Sequence, residues 1–186
     1  MDFYLADSSV TVALGQALAR SLPRTVAASR AAQAETSRAG TVPLTGAPGA
    51  VLYLHGDLGA GKTTCVRSLL QTLGVTAPVR SPTYTLVETY SLDALTCVHV
   101  DLYRLRAFAE VDELGLRDWV GPDCLMMVEW PERGGAALPP ADFDLLLRYA
   151  GDARQARLSA RTPLGSVWLE NLGRDTRLIP YVSNLT

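Results

Sequence analysis

The chain has 186 residues, of which 48% are apolar, enough for one globular domain that buries roughly 70% of its unfolded surface. A formal net charge of −2 and a pI of about 5.7 exclude a protein that holds nucleic acid by bulk electrostatics, leaving any RNA contact to a local patch or to a partner. The start Met1-Asp2-Phe3-Tyr4 lacks a signal peptide's basic stretch, and apolar runs such as 124–128 fall far short of the ~20 residues that span a bilayer, so a cytoplasmic protein without a membrane role is expected.

In chain order, Asp2 to Leu5 reads as a short strand. Asp7 or Ser8 can cap a helix that runs to about Leu22, with Ala13, Leu14, Ala17 and Leu18 at helical spacing and Pro23 stopping the pattern. Residues 27–49, rich in Ala, Ser, Thr, Gly and Pro, read as a flexible insertion, part of whose Ala-rich half could be helical. Val51 to His55 is a buried strand by composition. After the glycine-rich stretch that follows it, Val66, Leu69, Leu70 and Leu73 mark one helical face, and Gly74 is a natural stop. Thr83 to Tyr90, Leu95 to Val100 and Cys124 to Val128 are expected strands, with a short helix from Glu110 to Leu114. Phe143 to Tyr149 and Ala156 to Thr162 form a hairpin around Ala150-Gly151-Asp152, expected to add an antiparallel edge. Leu164 to Leu172 is a final helix before a loose tail. Strands alternating with helices imply an α/β fold: a mixed, mostly parallel sheet flanked by helices, with an antiparallel C-terminal hairpin. The expected organisation is one domain over 1–172, interrupted at 27–49, and a tail over 173–186.

The chemistry starts at Gly56-Asp57-Leu58-Gly59-Ala60-Gly61-Lys62-Thr63, a GxxxxGK[ST] motif between a strand and a helix, the context a P-loop requires. Glycines let backbone N–H groups converge on phosphate oxygens, and the following helix turns its positive end toward the same anion. Gly56, Leu58, Gly59, Ala60, Gly61, Lys62, Thr63 and Thr64 are therefore the expected nucleotide-binding residues. Lys62 would reach the β- and γ-phosphates, the Thr63 hydroxyl would ligate Mg²⁺, and Thr64 would lie near the α-phosphate. Lys62 is the only lysine in the chain; every other cationic side chain apart from the two histidines is arginine. As a solvent-facing loop residue it is expected to carry little stability. The GTPase base-reading motif Asn-Lys-x-Asp needs a second lysine, so adenine is favoured over guanine.

A Mg²⁺ site also needs a carboxylate. Asp101 and Glu129 each end an apolar strand, and parallel strands gather their carboxyl ends at the P-loop edge. Either could hold the metal while the other positions the attacking water; a plain surface acid is the bland reading for each. Arg80-Ser81-Pro82-Thr83-Tyr84-Thr85 could be a switch loop sensing the γ-phosphate, or a simple proline loop. Arg148, Arg157 and Arg161, with Arg154 near the turn, form either a solvated arginine face or a docking patch for an acidic partner or RNA. His55 and His99 read as packed or hydrogen-bonded side chains, and Trp130 as site wall or core. Cys65, Cys97 and Cys124, odd in number and without CxxC spacing, read as core side chains in a reducing compartment.

Five segments appear in order: Gly56 to Thr64; Ser81-Pro82-Thr83-Tyr84-Thr85-Leu86-Val87-Glu88; Asp101-Leu102-Tyr103-Arg104-Leu105; Glu113-Leu114-Gly115-Leu116; and Val128-Glu129-Trp130-Pro131-Glu132-Arg133-Gly134. Over nearly all of 53–160 the chain resembles the TsaE (YjeE) family of bacterial tRNA threonylcarbamoyladenosine biosynthesis ATPases. That resemblance implies ATP and Mg²⁺ as cofactors and a role in forming threonylcarbamoyladenosine beside the anticodon of tRNAs that read codons beginning with A. It implies TsaD and TsaB as partners, with tRNA met through their complex, and ATP hydrolysis supporting its turnover. By motif position it implies Thr63 and Glu129 as Mg²⁺ ligands, Lys62 and Asp101 in hydrolysis, Ser81 to Thr85 as switch loop and Trp130 beside the metal site. Ser8 and Thr11 would approach the adenine. The 27–49 segment is longer than the family's usual connection, and the tail after Leu172 has no counterpart. Two other readings compete: a small-molecule kinase, for which Tyr103-Arg104-Leu105-Arg106 would have to act as lid arginines, and a nucleotide-gated binding module with negligible hydrolysis.

Overall fold

Alternation along the strands sorts the apolar side chains into two cores, one on each face of a single sheet. Ala50, Leu52 and Leu54 face one way with Leu125 and Met127; Val51 faces the other with Met126 and Val128. The computed structural model describes residues 1–23, 49–93, 95–105 and 109–182, so the expected insertion at 27–49 lies, except for Gly49, outside the described residues.

The strands are β1 (Asp2–Leu5), β2 (Ala50–His55), β3 (Val87–Ser91), β4 (Thr96–Asp101), β5 (Cys124–Glu129), β6 (Phe143–Ala150) and β7 (Ala153–Ala160), in the order β1-β7-β6-β2-β5-β4-β3. Helices are α1 (Ser8–Ser21), α2 (Lys62–Leu73), α3 (Ala109–Glu113) and α4 (Pro163–Gly173). β6, β2, β5 and β4 run parallel to one another, while β3 is antiparallel to β4, β7 to β6 and β1 to β7. The sheet is therefore mixed and mostly parallel, as the alternation of elements predicts. No helix among the described residues is long and apolar enough to cross a membrane.

The hairpin does not form an edge. β1 returns to pair with β7, in a register where Asp2 opposes Arg157, and an ion pair of 2.7 Å joins those two side chains. β7 also starts three residues earlier than expected, because Ala150 pairs with Ala153 and the turn needs only two residues. On the opposite edge, β3 starts at Val87 rather than Thr83. Leu86 N–H donates to Pro82 O at 2.6 Å and Leu86 takes φ 62°, so the residues before Val87 are consumed by a turn. The expected loose tail packs instead as far as Val182: Leu178 is buried, Val182 bridges to Phe3, and Arg20 pairs with Asp175 at 2.8 Å.

The larger core lies under α1, α2 and α4. Asp7 caps α1, accepting from Ser9 N–H at 2.7 Å and Val10 N–H at 3.3 Å. Trp168 of α4 is fully buried, stacks on Phe143 at 5.1 Å and donates its indole N–H to Leu18 O at 3.0 Å. The three cysteines are buried and free, as their spacing suggests, with burial pushing the thiols of Cys65 and Cys97 up to about 12 and that of Cys124 to about 11. α1 meets α2 where Gly15 has no side chain; a Cβ there would stand 2.3 Å from Cys65 O. Gly15→Ala should therefore lower stability by about 1–3 kcal/mol through overpacking, read as a drop in thermal midpoint against the wild-type chain. An unchanged midpoint would mean that the helices separate at no cost.

Candidate active site

β2 ends at His55 and the chain turns at once into the glycine-rich loop. Gly56 has φ 128°, and a Cβ on it would sit 2.1 Å from Leu147 O of β6, so the loop begins flat against the neighbouring strand. α2 starts at Lys62 with Gly61 as N-cap, which offers no side-chain acceptor, so the first N–H groups of the helix stay available to an anion. Tyr149 of β6 braces the crest of the loop, donating its hydroxyl to Leu58 O at 2.9 Å. Ala60 is buried under the loop, whereas the Leu58 side chain points out and is 64% exposed.

Lys62 is not solvent-facing. It is 4% exposed, and its ammonium donates to Gly56 O at 2.6 Å and Asp57 O at 2.9 Å while lying 3.9 Å above the centroid of the Trp130 ring. Burial lowers its pKa from the usual lysine range, opposed chiefly by the Glu129 and Asp101 carboxylates. The charge is thus held by loop carbonyls, by an indole face and by two acids.

Those acids stand side by side because register puts them there. Glu129 pairs with Asp101 on one side and with Leu54 on the other, so the carboxyl ends of β4, β5 and β2 align beside the loop. Both acids are nearly inaccessible, at 3% and 2% exposure. One Glu129 oxygen accepts the Thr63 hydroxyl at 3.0 Å, and the other faces His99 Nε2 at 2.9 Å. Asp101 accepts the Ser81 hydroxyl, the Thr83 hydroxyl at 3.3 Å and the Tyr103 N–H at 3.0 Å. The Thr63 hydroxyl and the Glu129 carboxylate are adjacent hard oxygens, a donor set suited to Mg²⁺, which keeps several of its own waters.

The segment after α2 therefore meets the site through Ser81 and Thr83. Pro82 is buried beneath, while Tyr84 and Thr85 are exposed in the turn, Tyr84 under the Arg104 guanidinium at 4.1 Å. Trp130 takes φ 60°, unusual for a bulky residue, with its ring back over Lys62, the Tyr103 ring 5.1 Å away and the Arg133 guanidinium at 5.7 Å. It is both site wall and core, since it also packs against the smaller cluster. A cleft of about 430 Å³ is lined by Lys62, Thr63, Asp101, Arg104, Glu129 and Trp130 among others. A second, of about 300 Å³, lies on the loop's far side between Ser8 and Thr11 of α1, Thr64, and Asp152 and Arg154 of the hairpin.

Other features fall outside the cluster. His55 stands 3.6 Å from Glu132 and from Asp144. The hairpin arginines make a poor charged patch: Arg157 is paired with Asp2, Arg161 with Asp144, and Arg154 folds over the Tyr149 ring at 4.2 Å. Sequence reading missed His99 as the partner of Glu129 and Tyr149 as the brace of the loop. A histidine two residues before Asp101 on the same strand shares its face, which is the one signal that could have found it.

Comparison with known proteins agrees with this architecture. The family described as "Threonylcarbamoyl adenosine biosynthesis protein TsaE" matches residues 5–158. A Haemophilus influenzae protein named tRNA threonylcarbamoyladenosine biosynthesis protein TsaE is 46% identical over 115 residues, 62% of this chain and 73% of that one. A Synechocystis protein of the same name is 36% identical over 137 residues, 72% of this chain and 71% of its own. The crystal structure of Bacillus subtilis YdiB superposes with a TM-score of 0.67 at 25% identity, covering 94% of each chain. With the greater part of its length matched, and the glycine-rich loop set beside two buried acids, the chain belongs to the TsaE family of threonylcarbamoyl adenosine biosynthesis proteins.

Proposed function

We propose that this chain is a Mg²⁺-dependent ATPase that serves formation of threonylcarbamoyladenosine beside the anticodon of tRNAs reading codons that begin with A. Its hydrolysis would support turnover of a TsaD–TsaB complex in the cytoplasm, with tRNA met through that complex. The observation that carries the ATPase reading is the convergence of Lys62 and Thr63, Asp101, and Glu129, from three separate segments, on one cleft at the mouth of the glycine-rich loop.

The phosphates would lie on the N–H groups of the loop and of the first turn of α2, with the Lys62 ammonium exchanging its loop carbonyls for β- and γ-phosphate oxygens. Thr64, which lines both clefts, would mark the α-phosphate, and the adenosine would occupy the second cleft near Ser8 and Thr11. Thr63 and Glu129 would hold Mg²⁺, Glu129 directly or through a water. When bound, the ion neutralises charge on the β- and γ-phosphates. Glu129 has both oxygens engaged, by Thr63 and His99, and is thereby fixed in place. Asp101, held by the Ser81 and Thr83 hydroxyls and the Tyr103 N–H, would orient the attacking water and accept its proton.

Phosphate release from ATP tests the reading, measured with and without TsaD–TsaB and tRNA. Slow release that rises with the partners and vanishes in Lys62→Ala is the expected result, with the circular dichroism spectrum retained but the thermal midpoint lowered because two buried acids lose their counter-charge. Indifference to the partners would leave a P-loop protein but redirect the search to small-molecule phosphate acceptors. Magnesium titration of nucleotide binding tests the metal assignment: Glu129→Ala should weaken the Mg²⁺ dependence, and an unchanged titration would move the ligand role to Asp101. In the same titration His99→Gln, whose amide N–H can replace Nε2–H, should stay closer to wild type than His99→Ala.

A further inference from the structure

Arg104 has no part in the cycle just described, although it faces the same cleft. Phosphoryl transfer spreads negative charge over the oxygens of the γ-phosphate, and a loop lysine with a metal ion is commonly joined there by an arginine. The chain's single lysine is already in the loop, so a second permanently charged side chain from this chain must be arginine. Among the described residues that line the cleft, Arg104 is the one arginine.

Its surroundings fit a side chain held ready. The Tyr103 N–H donates to Asp101 at 3.0 Å, so the backbone at the root of Arg104 is tied to the acid that faces the cleft. The guanidinium itself rests 4.1 Å above the ring of Tyr84, which is 82% exposed. An exposed stack of this kind is weak, whereas a guanidinium on a phosphate makes charge-assisted, two-pronged hydrogen bonds. Tyr84 belongs to the turn whose Ser81 and Thr83 hold Asp101. One short segment thus holds both the acid and the arginine.

We propose that Arg104 is a catalytic arginine supplied by the chain itself, which leaves the Tyr84 ring and donates to the γ-phosphate oxygens as charge builds on them. The inference rests on the ATPase reading. In the step it assists, the bond between the γ-phosphorus and the bridging oxygen breaks and its electron pair leaves with ADP. A bond forms from a water oxygen to that phosphorus, and the water's proton passes to Asp101. Arg104 remains charged throughout and supplies only hydrogen bonds.

The test compares wild type, Arg104→Ala and Arg104→Lys in the full chain with TsaD–TsaB and tRNA. Phosphate release, ADP affinity and retention of ADP with aluminium fluoride are the readouts. Arg104→Ala should lose about 100-fold or more in kcat and fail to retain the aluminium fluoride complex, while ADP affinity stays within about twofold. Arg104→Lys should recover little, because an ammonium lacks the planar fork. Wild-type kcat in Arg104→Ala, or ADP affinity falling in step with kcat, would overturn the proposal. A wild-type chain that releases no phosphate would bring down the ATPase reading and this inference together; release that survives Arg104→Ala brings down this inference alone.

Discussion

Lys62, Asp101 and Glu129 carry charge in a place where water scarcely reaches them. Withdrawing three ionised groups from solvent is costly unless each finds opposite charge and hydrogen bonds, and much of the rest of the structure serves that requirement. Parallel register brings the two acids abreast, the loop folds the ammonium toward them, and Thr63, His99, Ser81 and Thr83 supply hydrogen bonds to the carboxylates. Removing one partner would leave the others stranded.

The sheet supports this arrangement from one side as well as from below. β6 runs parallel to β2 and continues past the last paired residue, His55 opposite Leu146, so its end lies alongside the loop. Leu147 limits the space at Gly56, and Tyr149 reaches the crest at Leu58. The hairpin that reads in sequence as an appendage is therefore the wall of the loop, and β1, by taking the edge beyond β7, keeps that wall inside the sheet.

The parts legible in sequence were those governed by short-range patterns. The apolar runs of Val51 to His55 and 124–128, the helical face from Val66 to Leu73 and the glycine spacing before Lys62 all depend on neighbours a few residues apart, and the structure contains the elements they imply. Strand-end position was enough to single out Asp101 and Glu129 as a pair. What could not be read depends on distant residues. The start of β3 is displaced by a left-handed Leu86 and by hydroxyls drawn to Asp101, the burial of Lys62 depends on the backward turn at Trp130, and the edge position of β1 depends on residues more than 150 positions away. His99, read as a packed or hydrogen-bonded side chain, is both, but its partner Glu129 could not be named because it lies on another strand.

The absent side chain at Gly15 has a mechanical consequence. With α1 and α2 in close backbone approach, the start of α1 is packed against the helix that the loop leads into, and the second cleft lies between that start and the loop. Sliding one helix past the other would have to break that close backbone contact. The opposite rim is held differently, since the turn from Ser81 to Leu86 is fastened to the site mainly by hydroxyl groups, so the two sides of the loop are clamped by unlike means.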